Sequence, residues 1–320
     1  HELTPQQKAA YISAKQSTAI NRQLSPVDAS GLQGFLADKL LTGLALRNAG
    51  FPMLKPRAIF ADVLALPGTE RLASAGDIAA FLRRDGALPV FGKPLHSSLS
   101  IGTASYVGLA DGGKSVVFGN GTIADIDALA AEIAANFARG YVFEPLIRQH
   151  PAVEAVTGPA VGGLRVVTLR TPAGVEVLYV LQRLPGVGAM MDAFSEKSSY
   201  SAAHIDPDTG RILRARVMDQ MTTCDLPASP VTGIRFDTVT LPFVKEAQAL
   251  ALEVHRLLVR PGVLGFDFAL TSEGPLINEV NSNPFHSCYQ HAADRGFLNP
   301  DFKPKIEAAI AIVKAETSRR

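Results

Sequence analysis

Residues Gly262 to Phe285 read GVLGFDFALTSEGPLINEVNSNPF. Two short runs of alternating apolar and polar residues flank a turn, which is typical of a β-hairpin with one buried face. A loop at Thr271 to Pro275 sets Asp267 directly across from Glu279, and Asn281 extends the same row. The other face would be apolar, with Leu270 opposite Leu276, and its predicted members are Phe266, Phe268, Leu270, Leu276 and Val280.

Two acids at facing positions of a hairpin repel each other unless something neutralises them. One explanation is a solvated hairpin face, on which polar residues alternate with apolar ones because one side is wet. The other is a bound cation, since carboxylate and amide oxygens form a ligand set for a hard ion such as Mg²⁺. Mg²⁺ normally keeps water and phosphate oxygens as further ligands, so this second explanation predicts a nucleotide near Asp267, Glu279 and Asn281.

The composition limits the classes of partner. The chain has 320 residues, of which 47% are hydrophobic, enough for two packed lobes. Its 31 Lys and Arg residues against 30 Asp and Glu give a net charge of +1, which favours neither a nucleic acid nor an anionic membrane as partner. The two cysteines, Cys224 and Cys288, lie far apart in the sequence and in no metal-ligand or redox spacing, which favours a reducing compartment and leaves a disulfide as the alternative. No apolar run approaches the roughly 20 residues that span a bilayer, so we expect a cytoplasmic protein.

The order of the predicted elements indicates an α+β fold. Helical segments alternate with hairpins such as SYVGLADGGKSVVFGNG and LRVVTLRTPAGVEVLYVLQRL, which favours antiparallel sheets over a doubly wound parallel sheet. We expect a helical N-terminal segment at 1–35, a first α/β lobe at 36–142, and a second lobe with the acidic hairpin at 143–320.

A lysine and a serine-rich loop follow one another at the end of a predicted strand. Lys93 ends LPVFGK, and the loop PLHSSLSIGT contains Ser97, Ser98 and Gly102. A strand lysine beside a loop of small residues with free backbone N–H groups can hold phosphate oxygens. The alternative is a charged strand end followed by an ordinary surface loop.

Two further charged residues have ambiguous roles in isolation. Lys39 opens the helix DKLLTGLALRNA, where it could be a solvated helix charge. Glu144 lies in the apolar strand YVFEPLI, where a carboxylate needs a partner. That partner could be an adenine amino group, a ribose hydroxyl, Arg148 or Arg139.

Taken together, these segments resemble the ATP-grasp superfamily, and they occur in its order. Asp38-Lys39-Leu40-Leu41 is similar to the helix-opening motif whose lysine contacts ATP phosphate. Phe91-Gly92-Lys93-Pro94 is similar to the strand whose lysine bridges the α and β phosphates. The resemblance implies that the loop with Ser97, Ser98 and Gly102 is the flexible flap over those phosphates.

The resemblance also covers the adenine and metal sites. Phe143 to Ile147 is similar to the interlobe strand that binds adenine, which implies nucleotide contacts for Glu144, Pro145, Leu146 and Ile147. Asp267, Glu279 and Asn281 match the D…ExN set that holds two Mg²⁺ ions, with Mn²⁺ as the alternative ion. The implied fold is two α+β lobes whose antiparallel sheets clamp ATP. Within the superfamily, IRQHPAV followed by LRVVTLRTPAGVEVLYVLQR is most similar to the sugar-transfer-associated group.

The resemblance implies a carboxylate-amine ligase of EC 6.3 type. Such an enzyme activates a small-molecule or peptide carboxylate as an acyl phosphate, joins it to an amine, and releases ADP and phosphate. Two alternatives stay open: a kinase of a small-molecule hydroxyl on the same fold, and a non-catalytic nucleotide-binding module. The chain departs from the wider pattern in having few residues ahead of Lys39, where many members carry an α/β domain that often binds substrate.

Two arginines of the LRVVTLR hairpin are candidate catalytic residues. Arg165 and Arg183 would fall on one face if Arg170 paired with Glu176 as a cross-strand ion pair. The guanidinium fork binds oxyanions with two hydrogen bonds, so we expect Arg165 to hold the γ-phosphate or acyl phosphate with Arg183 close by. Solvated hairpin arginines are the alternative.

The candidate substrate contacts lie in two loops. The stretch MMDAFSEKSSYSAAH supplies Asp192 and Lys197, although an ordinary surface loop would look the same. Asn283 continues the predicted metal row toward phosphate, and His286 follows it. His286, Cys288 and His291 give three zinc-type ligands without a fourth, so we do not expect a zinc site.

Overall fold

The computed structural model describes residues 3–25, 30–61, 66–95, 101–190, 200–219, 222–258 and 260–317. At positions 30–33, 200, 219 and 317 it describes the backbone alone. Four predicted site residues, Ser97, Ser98, Asp192 and Lys197, lie outside the described residues.

In the described residues, four helices precede the first strand: α1 (Pro5–Ala9), α2 (Ala14–Leu24), α3 (Ser30–Ala37) and α4 (Lys39–Asn48). The Asp38 side chain accepts hydrogen bonds from the backbone N–H groups of Leu40 and Leu41, which caps α4 where the sequence places its start. Gly50, with φ 88°, follows Ala49, the C-cap residue of α4.

The first sheet has seven strands in the order β2-β1-β7-β3-β4-β5-β6, and its pairs are antiparallel apart from β1 with β2. Helices α5 and α6 lie between strands of this sheet in the sequence, α5 between β2 and β3 and α6 between β6 and β7. The element bounds are β1 (Ala58–Phe60), β2 (Glu70–Leu72), α5 (Ala75–Arg83), β3 (Val90–Pro94), β4 (Ala104–Ala110), β5 (Ser115–Phe118), β6 (Ile123–Asp125), α6 (Ile126–Asn136) and β7 (Tyr141–Pro145).

The second sheet also has seven strands, all antiparallel, in the order β12-β11-β10-β9-β8-β13-β14. Helix α8 packs on one face of this sheet, and helices α9 and α10 pack on the opposite face. The element bounds are α7 (Pro151–Thr157), β8 (Leu164–Thr171), β9 (Gly174–Leu184), β10 (Tyr200–Ile205), β11 (Ile212–Asp219), β12 (Thr222–Asp225), α8 (Val244–Leu257), β13 (Val263–Thr271), β14 (Gly274–Asn281), α9 (Ser287–Ala293) and α10 (Lys303–Thr317).

The α+β prediction is confirmed: two largely antiparallel sheets each carry helices. The predicted division at 1–35, 36–142 and 143–320 stays a prediction. Strand β7 spans its second boundary and lies inside the first sheet between β1 and β3. Helix α2 packs against α10, and Leu24 and Ile12 belong to the core beneath the second sheet. No helix in the described ranges has the length and apolarity needed to cross a membrane.

The hairpin of β13 and β14 has the predicted register at its functional end and a different one at its turn. Asp267 lies opposite Glu279, as expected. A β-bulge between Asp267 and Phe268 then shifts the pairing, so the predicted facing of Leu270 and Leu276 is wrong, and Leu270 pairs with Pro275. Because of this shift Ile277 joins the core beside Phe266, Phe268, Leu270 and Val280, whereas Leu276 does not.

The predicted ion pair of Arg170 with Glu176 is also wrong. Strand pairing places Arg170 opposite Val175 and Glu176 opposite Leu169. Arg170 donates instead to Glu316, and Glu176 accepts from Lys305, both of them on α10. The reason is a register shift between Val167 and Thr168 in the β8–β9 hairpin.

Candidate active site

One cavity of about 1070 Å³ is lined by residues of both sheets, and we call it the cleft. The apolar part of its lining includes Phe91, Leu146, Ile147 and Phe268. It brings together twelve of the residues singled out from the sequence: Lys39, Lys93, Glu144, Pro145, Leu146, Ile147, Arg165, Arg183, Asp267, Glu279, Asn281 and Asn283.

The first sheet contributes a buried ion pair to the cleft. Lys93 on β3 and Glu144 on β7 lie on paired strands, and the Lys93 Nζ to Glu144 Oε2 distance is 2.7 Å. Both residues are less than a tenth exposed, and charges buried to this extent need partners. The partner that Glu144 requires is thus Lys93, and neither Arg139 nor Arg148.

Gly102 anchors the far end of the serine-rich loop. It has φ +75°, and a Cβ placed on it would overlap the Phe137 ring. Its carbonyl accepts a hydrogen bond of 3.0 Å from the Tyr141 hydroxyl. Gly102 is therefore required by the packing of β7 and the residue after α6, and its predicted contact with ATP stays a prediction.

The second sheet contributes a carboxylate shared by two arginines. Asp267 on β13 is 1% exposed and lies opposite Arg165 on β8. Arg165 donates to both carboxylate oxygens, and its Nη2 to Oδ2 distance is 2.8 Å. Arg183 on β9 lies 3.4 Å from the same Oδ2. The sequence predicted that the two arginines lie near each other, and here they meet on one acid.

The local electrostatics keep this cluster charged. Burial alone would raise the pKa of Asp267, but the charges of Arg165 and Arg183 outweigh it and hold that pKa below its usual range. Burial alone would lower the pKa of Arg165, yet the charge and hydrogen bonds of Asp267 raise it. The cluster is thus a carboxylate with guanidinium partners at neutral pH.

Glu279 and Asn281, which lie beside Asp267 and nearer to solvent, have longer contacts with their partners. The Glu279 Oε1 lies 3.7 Å from the Nζ of Lys39, and both side chains are partly exposed. The Nδ2 of Asn281 lies 3.4 Å from Asp267 Oδ2. Lys39, Asp267, Glu279 and Asn281 therefore form one continuous polar row across α4, β13 and β14.

The donor chemistry of this row fits a hard cation. Two carboxylates and an amide offer oxygen ligands of the kind that Mg²⁺ prefers. Within the described ranges, no three His, Cys, Asp or Glu residues lie close enough to hold a metal by themselves. An ion bound to Asp267 and Glu279 would therefore need further oxygens from Asn281, water or a phosphate.

His286 lies behind the row, in a buried network. It is fully buried, its Nδ1 lies 2.9 Å from the Tyr179 hydroxyl, and its Nε2 lies 2.9 Å from Asn21 Oδ1. Burial lowers the pKa of His286 to about 3. Substrate contact by His286 would require this network to open, whereas Asn283 lines the cleft as expected.

Several residues in or beside the cleft were not assigned to it from the sequence. Asn278 enters the lining because the β-bulge displaces it from the alternation of β14. Cys288 and His291 face the cleft from α9, one helical turn apart, which the sequence shows only as a spacing. Asn21 contacts this region across 262 positions of sequence, and no local pattern predicts such a contact.

Several solved structures align with this chain at low sequence identity. Among solved structures, D-alanine–D-alanine ligase from Bacillus anthracis aligns with a TM-score of 0.47 and 13% identity over 88% of this chain and 70% of that one. D-alanyl-alanine synthetase A from Vibrio cholerae O1 aligns with a TM-score of 0.49 and 14% identity, over 89% and 66%. N5-carboxyaminoimidazole ribonucleotide synthetase from Thermus thermophilus aligns with a TM-score of 0.41 and 16% identity, over 81% and 48%.

These similarities carry no information on substrates, because the identities and TM-scores are low. A search of curated protein sequences finds no match. The model of the sugar-transfer associated ATP-grasp family matches residues 128–303, which is more than half of the chain and contains Glu144, Arg165, Asp267 and Glu279. The chain therefore belongs to the sugar-transfer associated ATP-grasp family.

Proposed function

We propose that the protein is an ATP- and Mg²⁺-dependent ligase that activates a carboxylate as an acyl phosphate and joins it to an amine. The observation that carries the proposal is Asp267: an ionised carboxylate, almost fully buried, shared by two arginines and opposite a second acid in the same cleft as Lys93. Burying several charges together costs stability, and clusters of this kind are found most often at functional sites.

The charges of the cleft suit a nucleotide with divalent ions. Among the described residues that line the cleft, four cations, Lys39, Lys93, Arg165 and Arg183, stand against the three acids Glu144, Asp267 and Glu279, a net charge of +1. Asp267, Glu279 and Asn281 would hold Mg²⁺, which when bound neutralises phosphate oxygens. We place the adenine against Pro145, Leu146 and Ile147, which line the cleft.

The chain's own cations then have distinct roles in the proposal. Lys93 and Lys39 bind phosphate oxygens of the nucleotide as point charges. Arg165 binds the transferred phosphoryl group, because its fork keeps its charge and presents two donors to an oxyanion. Arg183 sits beside it at the carboxylate to be activated. The protein thus positions the reactants and stabilises developing charge, which are the main contributions to phosphoryl transfer.

The test uses hydroxylamine as a general amine. The protein is incubated with ATP, Mg²⁺, hydroxylamine and a pool of small-molecule and peptide carboxylates. ADP and hydroxamate that depend on the acid support a ligase. ADP with a phosphorylated alcohol indicates a kinase, and ATP binding without turnover indicates a binding module.

Two variants control the assay. Asp267→Asn keeps the size of the side chain and removes the charge, and we expect it to abolish hydroxamate formation. Asp237→Asn is the matched control, because Asp237 is exposed and pairs with Arg235 outside the cleft. Equal activity of both variants would exclude the proposed role of Asp267.

A further inference from the structure

A chain of hydrogen bonds connects the N-terminal helix α2 to the edge of the cleft. The Nδ2 of Asn21 lies 2.6 Å from Asn283 Oδ1 and 3.1 Å from the carbonyl oxygen of Pro284. The Oδ1 of Asn21 lies 2.9 Å from the Nε2 of His286, whose Nδ1 lies 2.9 Å from the Tyr179 hydroxyl. Asn283 is the member of this chain that lines the cleft.

One backbone carbonyl determines which atoms donate and which accept along this series of hydrogen bonds. The oxygen of Pro284 can only accept, so the amide atom of Asn21 that faces it must be the nitrogen. That nitrogen has a second hydrogen, which it gives to Asn283, and the atom of Asn283 that receives it must be the oxygen. Asn21 then offers its own oxygen to His286, which requires the proton on Nε2 and leaves Nδ1 to accept from Tyr179.

Burial holds these roles constant. The pKa of His286 is lowered to about 3 by burial, and burial also raises the pKa of Tyr179, so both stay neutral at physiological pH. The His286 ring stacks on Phe297 with centroids 3.9 Å apart. The network therefore has no freedom to reverse the direction of its hydrogen bonds.

Three hydrogen bonds at two residues, one near each end, fix the position of α2. Gln290 on α9 holds both the N–H and the carbonyl of Ile12, just before the helix. At the other end the carbonyl of Leu24 accepts from Gly262, immediately ahead of β13. Asn21 lies between these anchors.

We propose that Asn21 and His286 are positioning residues that turn the amide nitrogen of Asn283 into the cleft, where it donates to a phosphate oxygen of the nucleotide. With Oδ1 held by Asn21, the Nδ2 of Asn283 faces outward, and within the described residues it has no protein acceptor. An outward N–H group suits an anion and cannot ligate a metal. Asn283 thus differs from Asn281 two positions earlier, and the inference rests on the proposed nucleotide site.

The first test replaces Asn283 with an isosteric acid. Asn283→Asp keeps the oxygen that Asn21 binds and puts a second oxygen where the N–H group was. We expect its affinity for ATP in EDTA to fall by at least about tenfold, while its affinity for AMP changes less than about twofold. Asn283→Ala should show a smaller loss for ATP. Asn136→Asp, which adds the same charge at an exposed position outside the cleft, should bind ATP like the wild type.

The second test asks whether Asn21 acts through Asn283. Asn21→Asp can no longer donate, so Asn283 would turn its nitrogen toward it and its oxygen into the cleft. We expect ATP affinity to fall as in Asn283→Ala, and the double variant N21D/N283A to bind ATP no worse than N283A alone. If N21D does not fold, Asn21→Ala takes its place in the same cycle.

The outcomes separate the two proposals. A wild-type protein that binds no ATP would refute the proposed function together with this inference. The inference alone would be overturned if the wild type binds ATP and Asn283→Asp binds it with unchanged affinity or needs less Mg²⁺. Either result would mean that the side-chain oxygen of Asn283 faces the cleft. Equal losses for ATP and AMP, or additive effects of N21D and N283A, would also overturn it.

Discussion

The two walls of the cleft neutralise their charges in different ways. On the first sheet, Lys93 and Glu144 form a pair in which each has the other as partner at 2.7 Å. On the second sheet, Asp267 is bound by both Arg165 and Arg183 and is shielded more completely from water. Removing Asp267 leaves two arginines without their counter-ion, whereas removing Lys93 or Glu144 leaves only one charge unpaired. We therefore expect substitutions on the second sheet to lower the free energy of unfolding more than substitutions on the first.

The largest expected effect is on Asp267. Asp267→Asn leaves the guanidinium of Arg165 buried without its counter-ion, and we expect the free energy of unfolding to fall by about 3–5 kcal/mol. Urea denaturation followed by circular dichroism measures this loss. The exposed pair of Asp237 and Arg235 provides the reference, where Asp237→Asn should cost less than about 1 kcal/mol. Similar losses for both variants would show that the second wall is not held by this charge.

The second largest effect is expected from acid, which should lower the free energy of unfolding through His286, behind the second sheet. The folded pKa of His286 is lowered to about 3 from an unfolded value near 6.5, so the unfolded chain binds more protons between these values. Its contribution to stability is full above pH ~6.5 and is lost as the pH falls toward 3. We expect a loss of about 2–3 kcal/mol between pH 7 and pH 4.5 from this residue.

Urea denaturation at these two pH values measures that loss. His286→Gln should be less stable than the wild type at pH 7 but should lose less on acidification. His255, buried against Thr168 and the carbonyl of Pro261 with its pKa lowered by burial to about 4, adds a second contribution of the same sign. An unchanged pH dependence in the His286→Gln variant would contradict the assignment.

The part of the second wall that the sequence predicts is its local geometry. Alternation of apolar and polar residues places Asp267, Glu279 and Asn281 correctly, because the period of two is a property of the strand itself. The bulge after Asp267 is not visible in that pattern, and it moves Ile277 into the core and Asn278 into the cleft. The start of α4 at Asp38 and Lys39 is predicted because the apolar spacing of a helix depends on residues that are close in the sequence.

Contacts between distant segments could not be predicted. The partner of Glu144 is on a strand that lies 51 positions earlier, and two nearer arginines were equally plausible by sequence. The connection from Asn21 to Asn283 depends on how α2 packs beneath the second sheet, which involves Gln290 and Gly262 as well. Such tertiary packing is set by the assembled fold and leaves no periodic trace in either segment.

The pair on the first wall should show a moderate effect. Lys93→Met and Glu144→Gln should each destabilise the protein, since each leaves a buried charge alone. In the double variant neither charge remains, and we expect a coupling energy of about 1–3 kcal/mol from the double-mutant cycle. Additive losses would mean that the two side chains do not interact in solution. A coupling larger than the effect of Asp267→Asn would reverse the order of the two walls.

The smallest effect on stability is expected for the partly exposed pair of Lys39 and Glu279. Lys39 and Glu279 are 3.7 Å apart, and their side chains are 24% and 33% exposed, so Lys39→Gln should change the free energy of unfolding by less than about 1 kcal/mol. Its effect on ATP affinity should be much larger, because Lys39 lies in the cleft and would bind phosphate directly. Isothermal titration with ATP, beside urea denaturation of the same variant, compares the two quantities. A loss of stability without a loss of affinity would place Lys39 among the structural charges of α4, whereas the opposite result would show that this end of the row is kept charged for its ligand.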